Sequence, residues 1–149
     1  MNPVVHVSEA ASMALHALVL MAQHPDRSVS VREIARRLPV SGAHLAKVLQ
    51  RLARLGLLDS QRGPRGGFRL ARPPHEMTLL EIYEAVDGPL RPGGCMFEHP
   101  ACPAGECLFG GVLEHATAQV RSRLASTRLS DLPPVKEGAN GNEAAHHPD

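Results

Sequence analysis

Three cysteines, Cys95, Cys102 and Cys107, stand in one short stretch with six and then four residues between them, and the chain has no others. Thiolates crowded this closely can converge on one metal centre. Structural zinc favours cysteine pairs roughly two to four residues apart, and the present spacings lie at or beyond the wide end of that range, which weakens zinc. Iron-sulfur clusters accept thiolates at varied spacings and sometimes take histidine in place of one, so three cysteines call for a fourth ligand of another kind. Metal-free thiols are the third reading; a thiol sensor needs a depressed pKa. An odd count in one stretch is a poor disulfide framework.

The second chemical group is cationic. From Arg27 to Arg72 the chain carries Arg27, Arg32, Arg36, Arg37, Lys47, Arg51, Arg54, Arg62, Arg65, Arg69 and Arg72 against Glu33 and Asp59 alone. His44, Lys47, Arg51 and Arg54 recur at helical offsets and form one stripe. Such a stripe suits phosphates and base edges. Two more arginines flank the turn Arg62-Gly63-Pro64-Arg65-Gly66-Gly67. Duplex DNA is therefore the expected partner. The competing reading makes these charges a solvated face on a module that contacts only proteins. No paired carboxylates, activated nucleophile or phosphate-cradling loop forms a coherent site, so neither an enzyme nor a small-molecule substrate is expected.

These groups need elements to position them. Val31, Ile34, Ala35 and Leu38 share one helical face behind Ser30 and Glu33, which are spaced as a capping box, and Pro39 closes that helix. A second helix starts at Ser41, buries Leu45, Val48, Leu49, Leu52 and Leu55, and stops at Gly56. Leu57 to Gln61 and Phe68 to Ala71 read as strands of a hairpin. The outline is a winged helix-turn-helix.

Before it, Ser8 to about His24 reads as a buried first helix with Ser12 and His16 one turn apart on the same side. After it, Thr78 with Glu81 starts a helix burying Leu79, Ile82, Tyr83 and Val86, and Gly88-Pro89 ends it. Leu90 to Glu106 has no period. Leu108 to about Leu129 then resumes helical spacing through Val112, Leu113, Ala116, Val120 and Leu124, a stripe that two copies can pair as a dimer interface. The expected fold is mainly α with a small β-hairpin wing: a winged helix-turn-helix over residues 1–75, a cysteine loop and long C-terminal dimerisation helix over 76–132, and a disordered tail over 133–149.

Composition bounds the partners. With 149 residues and a net charge of +1, the chain is one compact unit with local, not global, positive charge. Aromatic residues make up 3% and Trp is absent, which argues against single-strand recognition by stacking. No apolar run is long enough to span a membrane, and Met1-Asn2-Pro3 does not open a signal peptide, so a cytoplasmic protein is expected.

The wing segment Arg62 to Phe68, together with Leu79-Leu80-Glu81-Ile82-Tyr83-Glu84-Ala85-Val86-Asp87-Gly88 ahead of three cysteines, resembles the IscR/NsrR-like winged-helix regulators over Ser8 to about Leu132. The resemblance implies a homodimeric transcription factor, expected to be a repressor, on a pseudo-palindromic operator. It assigns major-groove contacts to Ser41, His44, Lys47 and Arg51, and minor-groove contacts to the wing Arg62, Gly63, Pro64, Arg65, Gly66 and Gly67. It also implies an iron-sulfur cluster, two-iron or four-iron, on Cys95, Cys102 and Cys107, sensing redox state, nitric oxide or iron status. A metal-free thiol switch or a partner-controlled regulator is the alternative within this class.

Departures concern the fourth ligand. Family members usually space the cysteines evenly. IscR-like proteins place a histidine where this chain has Gly110, and NsrR-like proteins take an acidic ligand from the partner's first helix where it has Ser12. A few redox-sensing relatives use a histidine at the position of His16. The resemblance thus makes His16 the expected fourth ligand, with Glu9, His99 and Glu106 behind it.

Overall fold

The computed structural model of the chain describes residues 6–91, 109 and 111–135. In order these form α1 (Glu9–Ala22), α2 (Val31–Arg37), α3 (Gly42–Arg54), β1 (Leu58–Gln61), β2 (Gly67–Leu70), α4 (Leu79–Asp87) and α5 (Val112–Ser126), with short 3-10 turns at Pro74–Glu76 and Leu129–Asp131. The protein is a mainly helical winged helix-turn-helix with a two-stranded antiparallel wing. Among the described residues no helix is long and apolar enough to cross a membrane.

The core forms around α1, whose Ala11, Met13, Ala14, Ala17, Leu18, Leu20 and Met21 are all buried. Alanines on that face let α3 and α4 pack closely against it. Ile34 of α2, Leu45, Leu49 and Leu52 of α3 and Ile82 of α4 are each 0% exposed and complete one apolar cluster. Full burial of one such side chain contributes about 1.5–3 kcal/mol.

Side-chain caps set the helix starts. Ser8, Ser30 and Thr78 accept hydrogen bonds from the N–H groups of Ala11, Glu33 and Glu81 at 3.0, 3.1 and 3.2 Å. The reciprocal halves of the two expected capping boxes do not form. Glu33 turns to Arg27 and Arg37, and Glu81 to Arg72. A guanidinium is a stronger partner for a carboxylate than a neutral N–H.

Three expectations change. Leu55, expected in the core, is 55% exposed, because it caps α3 with φ −86° and ψ 2° as the chain turns at Gly56, φ 77°. The strands shift by one residue, although the Ala71 N–H still bonds Leu57 O at 3.1 Å. The last helix ends at Ser126, short of Leu129. There Thr127 O accepts from Leu79 N–H and Leu129 N–H donates to Met77 O, both at 3.0 Å, so the backbone leaves the helix to pair with the start of α4. Leu129, 2% exposed, follows it into the core.

Candidate nucleic-acid interface and ligand groove

The α3 helix presents the charged stripe that its sequence implies. Leu45, Val48, Leu49 and Leu52 are buried, Lys47, Arg51 and Arg54 are exposed, and His44 is half-buried. Ser41 caps the helix loosely, its Oγ accepting from His44 N–H at 3.5 Å, the edge of bonding distance, and it is exposed.

Ion pairs sort the eleven cations between Arg27 and Arg72. Arg27 and Arg37 share Glu33, Arg69 Nε lies 3.4 Å from Asp59, and Arg72 pairs with Glu81. Among the described residues no acid faces Arg32, Arg36, Lys47, Arg51, Arg54, Arg62 or Arg65. Both acids of the segment neutralise charge elsewhere, which leaves α3 and the wing tip uncompensated.

The wing is tied to the helix-turn-helix at its root. Val29 N–H donates to Phe68 O at 2.8 Å and Phe68 N–H to Val29 O at 2.9 Å, just before the cap of α2. A Cβ on Gly67 would lie 2.6 Å from Val29 C and 2.9 Å from Ser30 N, and closer still to Val29 O. On Gly66 it would meet Gln61 O at 2.6 Å and Gly63 O at 2.7 Å. Glycine at both positions therefore has a packing reason. At the exposed tip, Gly63 has φ 107° and accepts the Gly66 N–H at 2.8 Å, while Pro64 and Arg65 are exposed beside it.

Cys95, Cys102 and Cys107 lie outside the described residues, as do His99, Glu106 and Gly110. His16 lies within them. It is exposed on α1, and its Nδ1 sits 2.7 Å from Ser12 O. A carbonyl only accepts, so Nδ1 carries the proton and Nε2 is the free ring nitrogen, the arrangement that suits an imidazole ligand. Glu9, Ser12, Met13 and His16 line one wall of a groove of about 260 Å³, and Leu38, Pro39 and Val40 line the other. Those three residues form the turn between α2 and α3. Whatever occupies the groove at His16 thus touches the turn that leads into α3.

The point where α4 leads toward the cysteines is held by charge. Glu84 Oε1 accepts from Leu90 N–H at 3.1 Å and from Arg121 Nη1 at 2.6 Å, and Arg121 donates also to Leu90 O at 3.0 Å. Leu90 is thus held to α4 through its N–H and to α5 through its C=O, and the Glu84–Arg121 pair joins the two helices. Nearby, Ser8 N–H and Oγ donate to the Asp87 carboxylate, and the Tyr83 hydroxyl donates to His6 O at 2.7 Å. Burial, with Asp87 and Glu84 adjacent, pushes the Tyr83 phenol up from its ordinary value and keeps it a donor.

Sequence reasoning did not single out His115. Its Nδ1 lies 2.9 Å from Gly111 O on an exposed turn of α5, repeating the arrangement at His16. The four-residue step to a preceding carbonyl was the available signal.

Comparison with known proteins agrees with this geometry. The Rrf2 family model, described as an iron-dependent transcriptional regulator, matches residues 7–134. The chain is 32% identical over 125 residues to the transcriptional regulator IscR of Cereibacter sphaeroides, covering 82% of this chain and 81% of that one. It is 32% identical over 124 residues to the transcriptional regulator NsrR of Shouchella clausii, covering 80% and 82%. The solved structure of CymR, the global cysteine regulator of B. subtilis, superposes with a TM-score of 0.70 at 26% identity, covering 85% of this chain and 95% of that one.

Proposed function

Because the chain belongs to the Rrf2 family of transcriptional regulators, we propose that it is a homodimeric repressor whose operator affinity is set by an iron-sulfur cluster. The observation that carries the DNA reading is the pairing pattern: the segment's acids neutralise Arg27, Arg37 and Arg69, while among the described residues Lys47, Arg51, Arg54, Arg62 and Arg65 have no acidic partner and are open to phosphates and bases. Ser41, His44, Lys47 and Arg51 enter the major groove. Arg62 and Arg65 bring the wing tip, Gly63 to Gly67, to the minor groove.

Phe109 ahead of α5 and Val112 at its start, 44% and 64% exposed, support a two-fold dimer that covers this apolar surface. Such a dimer gives the two recognition helices a fixed separation on a pseudo-palindromic operator. In this division residues 1–75 read DNA, and 76–132 supply the cysteines and the dimer helix.

Cys95, Cys102 and Cys107 with His16 form the proposed ligand set. His16 supports this set, offering its Nε2 from an exposed position with its ring fixed by Ser12 O. When bound, an iron-sulfur cluster supplies a centre that responds to redox state, nitric oxide or iron status. The chain's own part is mechanical. Holding or releasing His16 changes what packs against Leu38, Pro39 and Val40, and that turn sets the direction of α3. Two ligands that bias one such joint are coupled, commonly by about 1–3 kcal/mol.

Anaerobic purification with iron, sulfide and native mass measured together tests the reading. A brown dimer with matched iron and sulfide is expected. A colourless dimer after the same reconstitution refutes the cluster and favours thiols or a protein partner as the input.

A further inference from the structure

We infer that α2 is a second DNA-backbone site, in which Arg32 and Arg36 clamp phosphates of one strand beside the groove read by α3. The inference rests on the DNA reading above and adds two contacts to it. Both arginines are exposed and stand one turn apart on the same face of a seven-residue helix. Like charges so placed repel. Arg32 also sits in the first helical turn, where the helix dipole disfavours a cation.

Among the described residues nothing relieves this arrangement. Glu33, the single acid of α2, is taken by Arg27 and Arg37, and no acid faces Arg32 or Arg36 among the described residues. A local rule broken without internal compensation points to an external partner, here an anion. The paired hydrogen bonds between Val29 and Phe68 fasten the chain entering α2 to β2, so both arginines are carried on the same rigid unit as the wing. The α2 helix also packs against α3, and a row of anions along a DNA strand is a ligand long enough to meet cations on both helices.

Phosphate contacts carry no sequence information, so the test uses a mixed-sequence duplex and needs no operator. Arg32→Gln and Arg36→Gln keep good helix formers in α2, and circular dichroism checks that each variant is folded. Affinity is measured at 50 and 200 mM salt. Each lost phosphate contact reduces the log-log salt slope by about 0.9, so the ratio of the two affinities falls about 3.5-fold per variant and about 12-fold for the double variant. Arg32→Lys and Arg36→Lys keep the charge and should keep the wild-type ratio. An unchanged ratio in the folded Gln variants overturns the assignment, as does loss of operator binding with unchanged mixed-sequence binding. If wild-type protein shows no salt-dependent duplex binding, the DNA reading itself has failed.

Discussion

Replacing Gly67 with alanine should loosen the wing from the helix-turn-helix, because the new methyl has nowhere to go. Its neighbours would be Val29 C at 2.6 Å and Ser30 N at 2.9 Å, with Val29 O closer, and all are backbone atoms that cannot rotate away. Relief requires opening the two hydrogen bonds between Val29 and Phe68, 2.8 and 2.9 Å long. Losing them costs about 1 kcal/mol each, and the forced displacement about 1–3 kcal/mol more. Reduced freedom of the unfolded chain returns about 0.4–1 kcal/mol. The net loss is about 2–4.5 kcal/mol, read from urea unfolding at fixed protein concentration. For a chain of 149 residues the melting temperature should fall by about 5–15 °C. Gly63→Ala is the contrast. It meets open space and pays only for φ 107°, about 1–2 kcal/mol confined to the wing tip. A Gly67→Ala protein within about 0.5 kcal/mol of wild type would refute the packing argument. Lost DNA affinity at unchanged stability would instead make Gly67 a DNA contact only.

Arg62→Ala or Arg65→Ala should weaken duplex binding and lower the salt slope by about 0.9; unchanged affinity and slope would remove the wing from the interface. His16→Ala should alter the visible spectrum of the anaerobically reconstituted protein, with His115→Ala as the comparison. If only His115→Ala alters it, the imidazole has been assigned to the wrong helix. Arg121→Ala removes the fastening of Leu90 to α5. Since Arg121 is 46% exposed, the expected loss is modest, about 0.5–1 kcal/mol and smaller at high salt, whereas Arg123→Ala, with no acidic partner among the described residues, should be neutral; equal effects from the two would count against the fastening.

Periodicity and capping chemistry made the elements legible in the sequence. Ser8, Ser30, Ser41 and Thr78 each cap the helix that their spacing implies, and the stripe Lys47, Arg51, Arg54 lies opposite the buried leucines of α3. What a linear reading lacks is competition between partners. It could not show that Glu33 and Glu81 leave their capping roles for arginines, nor which cations would consequently stay free. The last helix was read too long because Thr127 and Leu129 fit its period, while their backbone groups are drawn away by Met77 and Leu79. The groove at His16 joins residues 9–16 to residues 38–40, a juxtaposition with no local sequence signal. The cysteine ligands stand on sequence and resemblance.

The most direct test of cluster control is the affinity of one preparation for one duplex, selected from random DNA by the wild-type protein. Anisotropy titrations would compare the iron- and sulfide-loaded dimer with the same dimer after anaerobic chelation. The account predicts affinities differing by at least about tenfold, equivalent to about 1.4 kcal/mol of coupling, with the difference abolished in Cys102→Ala. Equal affinities for the loaded and stripped wild-type dimers would contradict it.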